Sequence, residues 1–287
     1  MRPRNRSAEG ACPMPTTPAL GGEITVTQRL LTSAAGRGQH LALTGGPAAY
    51  SYADLAQAVQ RAAAGLAWRG LRPRDVVGVY VADAAAYVLA CHSIRAAGGI
   101  PSPINSGRSV TEIAGQLADC GARMLLTSQP LAAAGLAAAD RSWVRQVISF
   151  GEAAGAMPFT SLLGVGTLPP SGVRPNDLAL LPYTRRPDGE LRPTGLSHAD
   201  MTAELIRLSA EAAISDRDVV LAAPPAGDGR SYAICLDHAL LHGSTIVATG
   251  TSDLAAAAAE HHAAAVIVPA GYEPAGPERM LVFAVAS

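Results

Sequence analysis

The chain has 287 residues, enough for one large domain or two smaller ones, and 49% of them are hydrophobic, so a sizeable core is available. Its 22 basic residues are all arginine and face 23 acidic ones; a net charge of −1 argues against the basic face of a nucleic-acid binder. With no lysine anywhere, Schiff-base chemistry and any mobile catalytic ammonium are excluded.

In chain order, residues 1–22 are rich in Pro, Gly, Arg and Thr without periodicity and read as a flexible tail. No apolar stretch follows the basic start Met1-Arg2-Pro3-Arg4, so it is not a secretory signal. Leu41–Thr44 and Tyr50-Ser51-Tyr52 read as two short strands around the Gly45-Gly46-Pro47 turn. A helix follows to about Arg69, with Leu55, Val59, Ala62, Ala63 and Leu66 on one face. Val76-Val77-Gly78-Val79-Tyr80-Val81 is apolar on both faces and reads as a buried strand. Residues 84–97 form a helix, and Ile100-Pro101-Ser102-Pro103-Ile104-Asn105 is extended. Ser109 caps a helix through Asp119, and Met124–Thr127 and Val147–Phe150 are strands. This alternation predicts a parallel sheet covered by helices.

Residues 151–175 read mostly as loop, and residues 177–183 as one strand. Then come a helix from His198 to Ala213, a strand at 219–223, a helix over 232–242 and a strand at 245–249. An alanine-rich helix over 252–264 and a last clear strand at 265–268 follow. No run reaches the ~18 apolar residues that a membrane span needs. The four cysteines, Cys12, Cys91, Cys120 and Cys235, form no CxxC pair and read as reduced thiols, Cys91 and Cys120 in the core. The expectation is a cytoplasmic protein with neither nucleic acid nor a membrane as partner.

Several phrases, in this order, resemble the adenylate-forming (AMP-binding) enzymes, more narrowly the acyl-CoA synthetases and 4-coumarate–CoA ligases. They are Tyr50-Ser51-Tyr52-Ala53-Asp54-Leu55, the helix exit Gly70-Leu71-Arg72-Pro73, and Ile100-Pro101-Ser102-Pro103-Ile104-Asn105. Asp119-Cys120-Gly121-Ala122-Arg123 and Asp177-Leu178-Ala179-Leu180-Leu181-Pro182-Tyr183 complete the set. The resemblance implies an α/β fold like the N-terminal domain of such an enzyme. It would have two adjacent sheets, the second incomplete, and no C-terminal lid domain. Residues 23–197 would make the first subdomain, with 24–70 pairing to the second sheet, and 198–287 the second subdomain.

In that family the last phrase runs into a glycine- and hydroxyl-rich phosphate loop carrying a lysine, whose amides cradle phosphate oxygens. Here the flanks Leu181-Pro182-Tyr183 and Leu196-Ser197-His198 match without a length change, but the interior is Thr184-Arg185-Arg186-Pro187-Asp188-Gly189-Glu190-Leu191-Arg192-Pro193-Thr194-Gly195. Thr184 and Gly189 keep the expected chemistry, and Arg192 stands where the lysine would be. Pro187 has no amide to donate, and Asp188 and Glu190 bring negative charge to a phosphate site. Losing one well-placed donor typically lowers a rate on the order of 10²–10³. Thr184, Arg185, Arg186, Gly189 and Arg192 are therefore a candidate degenerate phosphate loop; the other reading is a solvated loop neutralised by its own carboxylates.

The family's aromatic acyl-pocket segment is replaced by 223–230, leaving Tyr232 as the pocket candidate. The chain ends before the family's remaining nucleotide-binding motifs. The expectation is a truncated pseudoenzyme, with no catalytic residue of its own, that binds a protein partner or a ligand, or self-associates through the incomplete sheet. The alternative is an acid–CoA ligase using ATP with Mg and CoA, with Arg192 replacing the lysine and another chain supplying the missing motifs. A nucleotide or CoA sensor is a third reading. His198 is expected to cap or pack. His238 and His242, four apart, read as a surface pair rather than a metal site, with Asp237 facing elsewhere.

Overall fold

The computed structural model describes residues 24–45, 49–164, 166–168, 171–225, 229–251, 253–269 and 281–285; the tail expected at 1–22 lies outside them. The described helices are α1 (Val26–Ala35), α2 (Tyr52–Trp68), α3 (Ala84–Ala96), α4 (Val110–Asp119), α5 (Ala132–Ala139), α6 (His198–Glu211), α7 (Gly229–His242) and α8 (Leu254–Glu260). The strands are β1 (Leu41–Thr44), β2 (Tyr50–Ser51), β3 (Val76–Tyr80), β4 (Ile100–Pro103), β5 (Met124–Ser128), β6 (Gln146–Phe150) and β7 (Met157–Pro158). After them come β8 (Leu178–Leu180), β9 (Tyr183–Arg185), β10 (Leu191–Pro193), β11 (Leu196–Ser197), β12 (Val219–Ala222), β13 (Thr245–Ala248), β14 (Ala265–Pro269) and β15 (Leu281–Val285).

Local chemistry sets the helix starts. Thr25, Ser51, Ser109 and Ser197 each accept the amide three residues on, and that residue's side chain returns to the cap's own amide. Each such capping box satisfies two amides that the helix leaves open. The strands assemble into two larger sheets. One is wholly parallel, in the order β4-β3-β5-β6-β7. The other runs β15-β14-β12-β13-β1-β2, with the early strand β1 pairing parallel to β13 and only β2 antiparallel.

The sequence differs from the structure in a few places. The strand expected over 177–183 is two: β8 pairs with β11, the chain breaks at Leu181-Pro182, and β9 starts a separate ladder with β10. Pro182 has no amide to continue the first ladder. The stretch 151–175 holds β7 and a 3-10 turn at Phe159–Leu162. The alanine-rich helix is shorter than expected, ending at Glu260, and β15 follows the strand expected to be the last clear one.

Between the sheets lie α2 and α3, and one continuous core joins Leu126 and Ile148 of one sheet to Val220 and Ile246 of the other. Every residue from Ala84 to Arg95 of α3 is buried, as a helix covered on all sides must be. Small side chains allow that close packing. Gly65 of α2 shows its limit: a Cβ there would stand 2.4 Å from the Leu162 carbonyl oxygen.

Covering α3 completely also buries His92 and Arg95, whose polar atoms need partners. Both find Asp237 on α7: Arg95 Nη1 donates to Oδ2 at 3.0 Å, and His92 Nε2 lies 3.0 Å from Oδ1. An ionised carboxylate only accepts, so Nε2 carries the proton and Nδ1 accepts from the Thr27 hydroxyl of α1, 3.0 Å away. Arg95 Nε donates to the Ala179 carbonyl of β8 at 2.9 Å. Burial works most strongly against both charges, but their partners together overcome it: Arg95 and His92 hold the Asp237 carboxyl below its usual range, and Asp237, with Cys91 and Tyr87, holds the Arg95 guanidinium above.

Breaking a buried pair from one side leaves an uncompensated charge, which costs about 3–5 kcal/mol. Asp237→Ala is therefore expected to lower stability by that amount in urea unfolding. The double replacement Arg95→Met with Asp237→Leu is expected to recover most of it.

Candidate functional site

The segment that matches the family's phosphate loop folds as a β-hairpin. In the β9–β10 ladder Thr184 stands opposite Arg192, and Arg185 opposite Leu191. The turn closes on itself: the Arg186 amide donates to the Glu190 carbonyl at 2.8 Å, and the Gly189 amide to the Arg186 carbonyl at 2.9 Å. The Glu190 amide donates to Asp188 Oδ1 at 2.9 Å. Gly189 sits at φ +85°, which glycine adopts without strain. Amides that would cradle phosphate in an open loop are thus spent inside the hairpin.

Two of the three candidate cations are also engaged. Arg185 donates to the Gly189 carbonyl at 2.8 Å and pairs with Glu112 of α4. Arg192 pairs with Glu190. Arg186 makes no ion pair among the described residues and is exposed. The Glu112 carboxyl is held at about 2, by the Ser109 amide first and then by Arg185. A second latch lies at the hairpin base, where the Tyr183 hydroxyl donates to Asp119. The groove between hairpin and α4, about 310 Å³, is lined by Glu112 and Asp119 and by Arg185, whose charge Glu112 already holds, a poor setting for phosphate.

Thr184, Arg185, Arg186, Gly189 and Arg192 are therefore brought together, while Tyr232 lies apart on α7. Its ring packs edge-on against Tyr87, with centroids 5.0 Å apart, and its hydroxyl donates to the Ala223 carbonyl at 2.7 Å. Tyr87 in turn donates to the Gly229 carbonyl at 2.9 Å. The cavity beside the two rings, which Arg108, Tyr183 and Pro225 also line, measures about 20 Å³. Room for a single water needs about 10–15 Å³, so Tyr232 fills space rather than bounding it.

Arg108 is the residue that sequence reasoning missed. Its Nη2 donates to the Tyr183 carbonyl at 3.1 Å, while Nε and Nη1 are buried with no hydrogen-bond partner among the described residues. Burial pushes its guanidinium below its ordinary value; Glu112 opposes that and Arg185 adds to it. The only signal in the sequence is a lone arginine in the loop after an extended segment. For the hairpin the signal was stronger: Pro187-Asp188-Gly189 between two short extended runs is a turn signature.

The histidines depart from expectation in one respect. His238 is fully buried and His242 half-buried against it, with ring centroids 4.6 Å apart, so the pair is not on the surface. The tight fit of α7 against its neighbours, not a surface preference, sets their position. Asp237 faces elsewhere, into the α3 network. Among the described residues no three His, Cys, Asp or Glu side chains group to hold a metal ion. His198 packs in the core as the first residue of α6. Cys91 and Cys235 are buried and Cys120 half-buried, while Cys12 lies outside the described residues. No described helix is long and apolar enough to cross a membrane.

Two sheets with helices between them, and a modified loop between β8 and α6, define the N-terminal domain of an adenylate-forming enzyme. The chain belongs to the AMP-binding enzyme family, which it matches over residues 30–272. It is 29% identical to a feruloyl-CoA synthase of Amycolatopsis sp over 212 residues, covering 74% of this chain and 41% of the relative. The apo structure of MbtA from Mycobacterium smegmatis is similar with a TM-score of 0.75 and 26% identity, over 88% of this chain and 49% of the other. A long-chain-fatty-acid–CoA ligase from Archaeoglobus fulgidus has the same fold at 18% identity, with a TM-score of 0.75 over 86% of this chain and 52% of the other. The chain thus spans about half the length of these structures and about two fifths of the curated relative.

Burial, and next to it Arg95, pushes His198 down to about 4; burial, and next to it His242, pushes His238 down to about 3. Both stay neutral in the fold while the unfolded chain protonates them below about 6.5. Their contribution is fully present above pH 6.5 and is lost as the pH falls toward 4. His198→Gln is expected to reduce the slope of stability against pH near 5 by about 1.4 kcal/mol per pH unit, measured by urea unfolding across that range.

Proposed function

We propose that this chain is a degenerate acyl-CoA synthetase-like domain that does not adenylate on its own and acts as a pseudoenzyme, by binding a partner protein or a ligand. The observation that carries the reading is the hairpin, whose turn amides are engaged by its own backbone and carboxylate and whose Arg185 and Arg192 are engaged by Glu112 and Glu190. The volume beside Tyr232 supports it. Ligand pockets commonly measure about 300–1,000 Å³, and about 20 Å³ leaves no room for an aromatic acid such as the feruloyl group in the relative's name. The edge of the second sheet supports a protein partner or self-association, since β15 has β14 on one side and no strand on the other among the described residues.

A second reading keeps ATP or AMP, with Mg and CoA, as ligands, with Arg192 in place of the family's lysine and another chain completing the site. One observation favours it: Arg192 stands in register with Thr184, and its side chain is 56% exposed and reachable. Only the bond to Glu190 would have to give way.

Calorimetric titration of the folded chain with Mg-ATP, AMP and CoA separates the two. The expected outcome is no saturable heat up to millimolar ligand, in the parent chain and in Glu190→Ala, which frees Arg192. Saturable nucleotide binding that Arg192→Ala weakens about tenfold or more, as loss of a charged hydrogen bond would, overturns the pseudoenzyme reading in favour of the second.

A further inference from the structure

The chain contains two tryptophans, and both stand in solvent: Trp68 is 69% exposed and Trp143 is 61% exposed. In a chain with only 4% aromatic residues, placing both of its largest apolar side chains outside the core calls for a reason. The topology puts them at one end of the molecule. Trp68 ends α2, just before β3, and Trp143 lies in the turn before β6. Because β3, β5 and β6 are parallel, those entries share the amino-terminal end of the sheet. Gln146 Nε2 donates to the Arg69 carbonyl at 3.1 Å and ties the two turns together.

The same end is rich in guanidinium groups. Arg69 stacks over the Trp68 ring, with Cζ 5.7 Å from its centroid. Arg72, Arg123 and Arg145 are exposed, and the Arg145 amide donates to the Arg123 carbonyl at 2.8 Å, holding those two together. None of these four arginines makes an ion pair among the described residues, although Asp75 and Asp140 are exposed on the same end. The chain's near-zero net charge conceals this local excess.

We propose that the amino-terminal end of the five-stranded sheet docks on the anionic headgroups of a phospholipid bilayer. The indole ring is apolar with one wet N–H, which suits the headgroup boundary. Both rings stand out at chain turns on the same end of the sheet, so both can face that boundary. Arginine lays its stem along apolar surface while its fork takes lipid phosphate oxygens. Overall composition gave no hint of this and pointed away from a membrane partner. The inference is independent of whether the hairpin binds nucleotide.

Since the chain's only tryptophans are both in the patch, their fluorescence reports on it directly. The full chain is titrated with vesicles of phosphatidylcholine and phosphatidylserine and, separately, of phosphatidylcholine alone. The expected result is a saturable blue shift with the anionic vesicles that fades as salt is raised, and none with the neutral ones. Arg123→Ala and Arg145→Ala are each expected to weaken binding about fivefold, with circular dichroism showing that the variants remain folded. If they unfold, the salt dependence of the parent chain decides. No shift with anionic vesicles, or an equal shift with neutral ones, overturns the proposal. A shift induced by soluble polyglutamate and abolishing vesicle binding overturns it too, in favour of an acidic protein partner.

Discussion

A carboxylate on α7 and a guanidinium on α3, both out of reach of water, set the terms for the rest of this fold. Asp237 and Arg95 are each intolerable at their depth without the other. Their pairing therefore demands that the helix leaving one sheet lie against the helix of the other. His92 and Thr27 extend the demand to α1, and the Ala179 carbonyl extends it to β8. A core built from alanine, leucine, valine and isoleucine, with few aromatic rings, has few large shapes to lock its register. A buried polar network with satisfied partners supplies that specificity where apolar packing alone is permissive.

That network also fixes the platform from which the modified loop departs. The segment between β8 and α6 has the flanks of a phosphate loop but follows the preferences of its own residues. Proline, aspartate and glycine at 187–189 make a turn, and the turn lets Tyr183–Arg185 pair with Leu191–Pro193. Once paired, the backbone donors point at one another rather than outward. Arginine deepens the effect, because its planar fork finds carboxylates on α4 and within the turn. These residues form a self-satisfied hairpin rather than an open anion cradle.

Much of this architecture could be read from the residues. The apolar run at 76–81, the serine cap at 109, and the alternation of elements each have a local cause that survives folding. What could not be read are contacts set at long range. Nothing near Arg95 in the sequence points to Asp237, and nothing near Arg108 announces that it faces Tyr183 and the turn after β12. The hairpin is the instructive case. Its turn signal lies in Pro187-Asp188-Gly189 itself, whereas the matching flanks carry no information on the shape between them. His238 and His242 show the converse, because a four-residue spacing tells that two rings are neighbours and not which way their shared face looks.

The distance along the chain between Arg95 and its counter-charge has a consequence during synthesis. Asp237 follows 142 residues later, and at ribosomal speed that interval lasts on the order of ten seconds. Throughout it, α3 holds a cation that it cannot yet bury, so the first sheet cannot close over its inner helix. The early half of the chain must wait, open on one side, for the later half to emerge. The two sheets mature as one cooperative event, and until then the nascent chain presents its inner helix to whatever chaperone meets it at the tunnel exit.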